Sequence, residues 1–167
     1  MSVAEHHARA PKALRCFVLT VSDSRTEETD DAGRLCQGAL TAAGHAIAGY
    51  RVVRDEPTEV AALVRRVAAD FGADAILVNG GTGIARRDST YEAVSALFEK
   101  RIDGFGELFR ALSFRAIGPA AMLSRASAGV VAGVAVFSMP GSPDAVRLAM
   151  GELIVPEIAH VVGELRR

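Results

Sequence analysis

The stretch Ala75-Ile76-Leu77-Val78-Asn79-Gly80-Gly81-Thr82-Gly83 decides how the rest of the chain is interpreted. Four apolar residues in succession are typical of a strand buried on both faces, as in parallel sheets. The strand runs directly into glycines, which tolerate positive φ and leave backbone N–H groups open to a ligand. Such a turn at the carboxyl end of a parallel strand can form an anion-binding nest. The stretch therefore predicts an α/β fold with a candidate phosphate site.

The chain before this stretch alternates between strand and helix patterns. Strands are predicted over 15–21, a nearly continuous apolar run, and over 46–53. Apolar residues recur at helical spacing over 32–43 and again from Pro57 to Phe71. Strands that alternate with helices form crossover units, so we expect a largely parallel sheet sandwiched by helices.

The chain after this stretch contains further helices and one hairpin. Ser89 and Glu92 have the spacing of a capping box before a helix that reaches Leu97. Strand-like segments flank Ala132-Gly133, which favours a tight hairpin. A helix over 107–117 is predicted to bury its larger apolar residues, which are Leu108, Phe109, Leu112 and Phe114.

A C-terminal helix is predicted to begin near Asp144, after the turn Pro140-Gly141-Ser142-Pro143. Pro156 should kink or restart this helix, because proline removes a backbone donor and clashes with the preceding turn.

The composition is that of one globular domain. The chain has 167 residues, of which 50% are hydrophobic, and its net charge is −1. These values argue against disorder and give no reason to expect nucleic-acid binding. No apolar run is long enough to span a membrane. Residues 1–12 are polar and Ala-rich and are predicted to be a disordered tail, which leaves 13–167 as the domain.

The cysteines and histidines give no sign of a disulfide or a metal cluster. Cys16 and Cys36 lie in apolar stretches without a C-x-x-C pair, so we interpret both as reduced core residues of a cytoplasmic protein. The four histidines are scattered and lack metal-ligand spacing.

The charged residues after the glycines fit a phosphate ligand. Arg86 and Arg87 could contact phosphate oxygens, and Asp88 could hold Mg²⁺, which commonly uses one or two carboxylates plus substrate phosphates. The pattern alone leaves an ordinary connecting turn as an equal alternative. It lacks the third glycine of a dinucleotide fingerprint and the Gly-Lys-Ser/Thr of a P-loop.

Other polar turns could reach the same edge of the sheet. Asp55 follows the second strand, where it could converge with Asp88, although a helix cap for the segment from Pro57 is favoured on spacing alone. Three further turns could reach this edge, one after the first strand, one before the hairpin and one before a helix, and each could singly be an ordinary loop or cap. They are Ser22-Asp23-Ser24, Ser124-Arg125-Ala126-Ser127 and Gly141-Ser142.

Taken together, these segments resemble the MoaB/MogA family of molybdenum cofactor biosynthesis proteins. The matches run in family order and span about 14–164. They are Leu19-Thr20-Val21-Ser22-Asp23-Ser24-Arg25-Thr26, Asn79-Gly80-Gly81-Thr82-Gly83-Ile84-Ala85-Arg86-Arg87-Asp88, Gly104-Phe105-Gly106-Glu107-Leu108-Phe109-Arg110, Ala121-Met122-Leu123-Ser124-Arg125-Ala126-Ser127-Ala128-Gly129 and Met139-Pro140-Gly141-Ser142.

The resemblance implies a three-layer α/β/α sandwich around a mostly parallel sheet with a small β-hairpin. It implies a homo-oligomer, a trimer or a hexamer, with possible contacts to other proteins of the pathway. The implied reaction is Mg²⁺- and ATP-dependent adenylylation of molybdopterin, with release of pyrophosphate. The alternative is a non-catalytic molybdopterin-binding or scaffold protein of the same pathway.

The resemblance also implies roles for single residues, carried over by motif. Asp55 and Asp88 match the carboxylates tied to magnesium and catalysis. The nucleotide side is implied for Gly80, Gly81, Thr82, Gly83, Arg86 and Arg87. The molybdopterin side is implied for Ser22, Asp23, Ser124, Ser127, Gly141 and Ser142. Asn79 and Ser89-Thr90-Tyr91-Glu92 depart from the usual family pattern, but neither change removes a carboxylate or a loop glycine.

Overall fold

The structure, a computed structural model, describes residues 3–167 except for the side chains at positions 3, 4 and 6. Its strands are β1 Arg15–Val21, β2 Ala46–Val53, β3 Ala75–Asn79, β4 Lys100–Arg101, β5 Ser127–Val131 and β6 Val134–Met139. Its helices are α1 Val3–Arg9, α2 Asp31–Ala42, α3 Pro57–Asp70, α4 Thr90–Ser95, α5 Asp103–Ile117, α6 Pro143–Ala149 and α7 Val155–Leu165. A 3₁₀ helix, Gly118–Leu123, follows α5, and a π-helical turn, Met150–Ile154, joins α6 to α7.

One six-stranded sheet forms the centre, in the order β2-β1-β3-β6-β5-β4. The strands β2, β1, β3 and β6 are parallel, whereas β5 pairs antiparallel with both β6 and β4. Thr20 lies opposite Asn79, and Asn79 lies opposite Met139. The carboxyl ends of three parallel strands therefore meet at one edge of the sheet.

Helices cover both faces of this sheet. Alternate residues of β3 point to opposite faces, so that Ala75 and Leu77 face one core while Ile76 and Val78 face the other. The first core packs against α2, α5, α6 and α7, and the second against α3 and α4. The predicted three-layer sandwich with a mostly parallel sheet and a hairpin is confirmed.

Several local predictions are confirmed at the expected residues. The strands over 15–21 and 46–53 are present, and α3 begins at Pro57. The hairpin turns at Ala132 and Gly133, with φ of 48° and 76°. The C-terminal helix restarts at the π-helical turn directly before Pro156.

The N-terminal segment differs from the predicted disorder. Val3–Arg9 form α1, which packs against α7, and the Ala-rich composition is compatible with a helix. Met1 and Ser2 of the predicted tail lie outside the described residues. The domain boundary after residue 12 stays a prediction.

Two predictions about α4 and α5 are wrong. Ser89 makes no side-chain capping bond to its own helix, because its hydroxyl donates to Asp55 instead. Leu108 and Phe114 of α5 are exposed, with 56% and 59% of their surface accessible. Phe105 and Phe109 of this helix reach the first core, whereas Leu108 and Phe114 do not, so part of the apolar surface of α5 faces outward.

Among residues 3–167, no helix combines the length and the apolar character that crossing a bilayer requires.

Burial should make both cysteines unreactive in the folded protein. Cys16 and Cys36 are unpaired and fully buried, and burial raises the pKa of each thiol to about 12. At pH 8 we therefore expect slow labelling by an aromatic disulfide reagent, because the thiolate is the nucleophile. Labelling in urea provides the control and should be fast for both thiols. Equal rates in the two conditions would contradict this burial.

Candidate functional site

A cleft of about 440 Å³ opens at the carboxyl ends of the parallel strands. Five segments of the chain line it, because the loops after β1, β2, β3 and β6 and the end of the 3₁₀ helix all reach this edge. Its lining residues are Val21, Ser22, Asp23, Ser24, Arg25, Asp55, Gly80, Gly81, Thr82, Gly83, Arg87, Asp88, Leu123, Ser124, Pro140 and Gly141. The cleft contains most of the residues that the sequence analysis singled out.

The glycine loop, residues 80–83, forms one wall of the cleft. Gly80 and Gly81 have φ of 97° and 64°, a region that glycine adopts readily. A Cβ atom on Gly81 would collide with the Thr90 hydroxyl and the Asp55 carboxylate. The loop therefore needs glycine both for its backbone conformation and for the close packing behind it.

The donors and acceptors of this loop are used differently. Gly80 donates to the carbonyl of Met139, and the Gly81 carbonyl accepts from Thr90. Within residues 3–167, no hydrogen bond uses the backbone N–H groups of Gly81, Thr82 and Gly83. These successive donors at the cleft wall are a fitting site for phosphate oxygens.

Asp55 lies at the base of the cleft with 5% of its surface exposed. Its Oδ1 accepts from the Ser89 hydroxyl at 2.8 Å and from the Thr90 hydroxyl at 3.1 Å. The Ser89 N–H also donates to this carboxylate, at 3.3 Å from Oδ1. Asp55 therefore stabilises the start of α4. It does not cap α3, and Glu56, the residue directly before α3, makes no side-chain cap either.

Asp88 is the more accessible of the two predicted metal carboxylates. Its Oδ2 accepts from the N–H of Ala85 at 2.9 Å. Its Oδ1 takes part in no hydrogen bond among the described residues, and the side chain lines the cleft beside Gly83. Since magnesium commonly uses one or two carboxylates plus substrate phosphates, this donor set fits a Mg²⁺ site with Asp88 as its main protein ligand.

An ion-pair cluster occupies the rim of the cleft. Arg87 donates to Asp23 at 3.1 Å and to Glu56 at 2.9 Å. The backbone N–H of Asp55 donates to Asp23, and this bond, together with Arg87, holds the pKa of the Asp23 carboxyl below its usual range. The cluster keeps Arg87 beside the cleft but leaves its charge paired.

The structure brings most predicted site residues together but not all of them. Arg86 is exposed and does not line the cleft. Ser127 is buried in β5, where its hydroxyl contacts that of Ser95. Ser142 caps α6 by accepting from Ala145 and faces an adjacent hollow. Ser22, Asp23, Ser124 and Gly141 do line the cleft.

Two arginines belong to this site although sequence reasoning did not select them. Arg25 lines the cleft, donates to the carbonyl of Gly141 at 2.9 Å and lies 3.9 Å from Asp30. Arg125 donates to carbonyls of the glycine loop. Arg25 follows the turn Ser22-Asp23-Ser24, and Arg125 lies within the turn Ser124-Arg125-Ala126-Ser127, so their position in or beside these turns was the available signal.

Relatives of this chain extend over its whole length. Residues 17–160 match the family described as a probable molybdopterin binding domain. A Bacillus subtilis protein named molybdenum cofactor biosynthesis protein B is 54% identical over 168 residues, which cover 100% of this chain and 99% of the relative. A Staphylococcus aureus protein of the same name is 42% identical over 169 residues, which cover 99% of this chain and 100% of the relative.

Solved structures show the same fold. A crystal structure of molybdenum cofactor biosynthesis protein B has a TM-score of 0.91 at 51% identity and covers 95% of this chain and 99% of its own. The tungsten cofactor synthesizing protein MoaB from Pyrococcus furiosus has a TM-score of 0.84 at 39% identity, with coverage of 95% and 100%. Both likenesses agree with the fold that the sequence resemblance implies.

Replacing Gly81 by alanine should destabilise the protein. Its φ of 64° and the collision of a Cβ atom with Thr90 and Asp55 should together cost about 2–4 kcal/mol of unfolding free energy. Thermal denaturation measures this loss. Gly38→Ala is the matched control: it lies in α2 with open space around it, so it should be neutral or stabilise by about 0.5–1 kcal/mol. Equal stability of the two variants would refute the packing account.

Replacing Asp55 by alanine should also destabilise the protein, because it leaves the Ser89 and Thr90 hydroxyls without their acceptor. We expect a loss of about 2–4 kcal/mol in urea unfolding. Asp103→Ala removes an exposed carboxylate paired with Arg101 and should cost about 1 kcal/mol at most. A similar small loss for Asp55→Ala would show that this carboxylate does not hold α4.

Proposed function

The chain belongs to the MoaB/MogA family of molybdopterin-binding domains in molybdenum cofactor biosynthesis, and we propose that it adenylylates molybdopterin. In this reaction an oxygen of the terminal phosphate of molybdopterin attacks the α-phosphorus of ATP. The bond from that phosphorus to the bridging oxygen breaks, so that pyrophosphate leaves and adenylyl-molybdopterin forms. The protein contributes to this reaction mainly by positioning the two substrates and by stabilising the charge on the phosphates.

One observation carries this proposal: the N–H groups of Gly81, Thr82 and Gly83, which form no hydrogen bond within the described part of the chain, share a cleft with the Asp88 carboxylate. Backbone donors of this kind bind phosphate oxygens without bringing in a side chain. A carboxylate beside these donors would weaken the binding of a phosphate alone, because the two negative charges repel each other. The pair fits a phosphate chain that arrives with a divalent cation.

The cation that fits is Mg²⁺, which would neutralise charge that develops on the leaving pyrophosphate. Asp88 would hold it through Oδ1, the oxygen without a hydrogen bond among the described residues. Asp55 contributes indirectly, because its oxygens already accept from Ser89 and Thr90. Both predicted metal carboxylates thus keep a role in the proposal, with Asp88 as the direct ligand.

Arg87 is suited to exchange partners when the nucleotide binds. In the structure its guanidinium is shared by Asp23 and Glu56, and it stays half exposed at the rim of the cleft. Phosphate oxygens accept the same bidentate geometry as carboxylates. We therefore assign Arg87, and not the more remote Arg86, to the nucleotide phosphates.

The part of the cleft that the loop after β1, the end of the 3₁₀ helix and the loop after β6 line is the proposed molybdopterin side. Ser22, Asp23, Ser124 and Gly141 line it, and Leu123 adds an apolar surface. Ser142 faces a second hollow of about 530 Å³, which also contacts Ser124. Molybdopterin would thus place its phosphate near Ser124 while its rings extend toward this hollow. Ser127 would act only by supporting β5 from within the sheet.

A homo-oligomer is part of the same proposal. The exposed large apolar residues on α5 and the following 3₁₀ helix are Leu108, Phe114, Ile117, Met122 and Leu123. Exposed large apolar residues concentrated on one helix and the turn after it are typical of interaction sites, and the last of them, Leu123, also lines the cleft. A second copy of this chain is the occupant we propose, in a trimer or a hexamer; light scattering that gives the mass of a monomer would refute it.

The cytoplasm is the compartment we propose, since Cys16 and Cys36 are unpaired thiols and thiols persist in reducing compartments. Other proteins of the same pathway are the proposed partners, because an activated intermediate has to pass to the next enzyme.

A non-catalytic molybdopterin-binding protein is the second candidate function. The observation that favours it is the hydrogen bonding of Asp55, which leaves one carboxylate fewer for a metal ion than the family motif implies. In this case the protein would bind molybdopterin at the same part of the cleft but would not catalyse its adenylylation. Calorimetry with each substrate separates the two, because only the enzyme needs to bind MgATP.

Replacing Asp88 by asparagine should abolish most of the activity. The variant keeps the shape of the side chain but removes the charge that would hold Mg²⁺, so we expect kcat to fall by about 100-fold or more. Adenylyl-molybdopterin formation from MgATP and molybdopterin measures this. Asp70→Asn is the control, since Asp70 is exposed at the end of α3 and should leave turnover unchanged. Normal turnover by Asp88→Asn would remove Asp88 from the mechanism.

A further inference from the structure

Arg125 connects the glycine loop to the segment that follows the 3₁₀ helix. It follows Ser124, which lines the cleft, yet its own side chain does not line it and is only 24% exposed. Its Nε donates to the carbonyl of Thr82 at 2.8 Å, and Nη2 donates to the carbonyl of Gly83. The glycine loop is therefore fastened to the segment that carries Ser124.

The remaining surface of the Arg125 guanidinium is also occupied. Nη1 forms an ion pair with Glu92 of α4, and this bond holds the pKa of the Glu92 carboxyl below its usual range. The guanidinium carbon lies 4.7 Å from the centre of the Tyr91 ring, which is a cation–π arrangement. With its charge paired and its donors used, Arg125 is not placed to contact a phosphate itself.

The bonds from Arg125 determine which groups of the loop remain for a ligand. Because the carbonyls of Thr82 and Gly83 accept from Arg125, they are directed away from the cleft. The N–H groups of Gly81, Thr82 and Gly83 are the ones left without a bond among the described residues. A peptide carbonyl turned toward the cleft would instead repel an anion.

We propose that Arg125 is a positioning residue, which holds the glycine loop with its N–H groups toward the phosphate chain of the nucleotide. The proposal rests on the proposed function, since it takes the nucleotide as the ligand of this loop. The requirement is for a guanidinium and not for a positive charge alone. A planar fork can serve two carbonyls and a carboxylate at once, whereas an ammonium is a point charge.

The experiment compares MgATP binding by calorimetry for the unmodified protein and three variants. Arg125→Ala should raise Kd roughly tenfold or more, because hydrogen bonds from a charged donor are lost at the loop. Arg125→Lys should bind MgATP almost as weakly as Arg125→Ala. Added methylguanidinium should restore MgATP binding in Arg125→Ala but not in Arg125→Lys. Arg101→Ala is the matched control, because Arg101 also pairs with a carboxylate, Asp103, and lies over an aromatic ring, Phe98. It belongs to β4, which β5 and β6 separate from β3 and its glycine loop.

A second measurement needs no ligand and keeps this proposal separate from the proposed function. The N–H groups of Ala85 and Thr90 are hydrogen-bonded at the two ends of the loop segment, to Asp88 and Gly81. In Arg125→Ala both amides should exchange with deuterium faster, and in Arg101→Ala they should not. If the unmodified protein binds no MgATP, the proposed function fails while this exchange still tests Arg125.

Two results would overturn the positioning role. Unchanged exchange at Ala85 and Thr90 in Arg125→Ala would show that the loop does not depend on this side chain, whatever happens to MgATP binding. If exchange becomes faster in Arg125→Ala while the MgATP affinity stays unchanged, the loop conformation that Arg125 holds does not contribute to nucleotide binding.

Discussion

A buried carboxylate joins the end of the second strand to the start of the fourth helix. Asp55 accepts from the hydroxyls of Ser89 and Thr90 and from the Ser89 N–H, with only 5% of its surface exposed. A buried charge is costly unless it is fully hydrogen-bonded, so this arrangement tolerates little displacement. Gly81 packs directly against the same groups. The position of the glycine loop therefore depends on Asp55.

The loops that form the cleft reinforce one another across the sheet edge. Gly141 approaches Gly80 so closely that a Cβ atom on it would lie 2.9 Å from the Gly80 Cα, and Arg25 fastens the first loop to the Gly141 carbonyl. Arg125 does the same for the glycine loop. Backbone groups that bind a ligand are effective only when they are held before it arrives. Arg125 provides that order without placing its own side chain in the cleft, whereas Arg25 also lines the cleft.

The charged side chains that line the cleft carry both signs of charge. Asp23, Asp55 and Asp88 face Arg25 and Arg87, and the rim charges pair with one another. A phosphate chain with a divalent cation carries both signs of charge, so it can replace these internal pairs on both sides. This mixture of charges fits the metal–nucleotide ligand proposed for the cleft.

The sequence by itself determined the sheet, the hairpin and the glycine loop, because apolar runs, Pro57 and Ala132-Gly133 act through local backbone preferences and burial. It also indicated which turns would meet, since parallel strands end at a common edge. It did not determine what Asp55 binds, which face of α5 is covered, or that Arg125 supports the loop. Ser89 has the spacing of a local cap, but its hydroxyl bonds a carboxylate 34 positions away along the chain. Only the tertiary structure decides such contacts, because hydrogen bonds between distant segments depend on how the layers pack and leave no periodic pattern in the sequence.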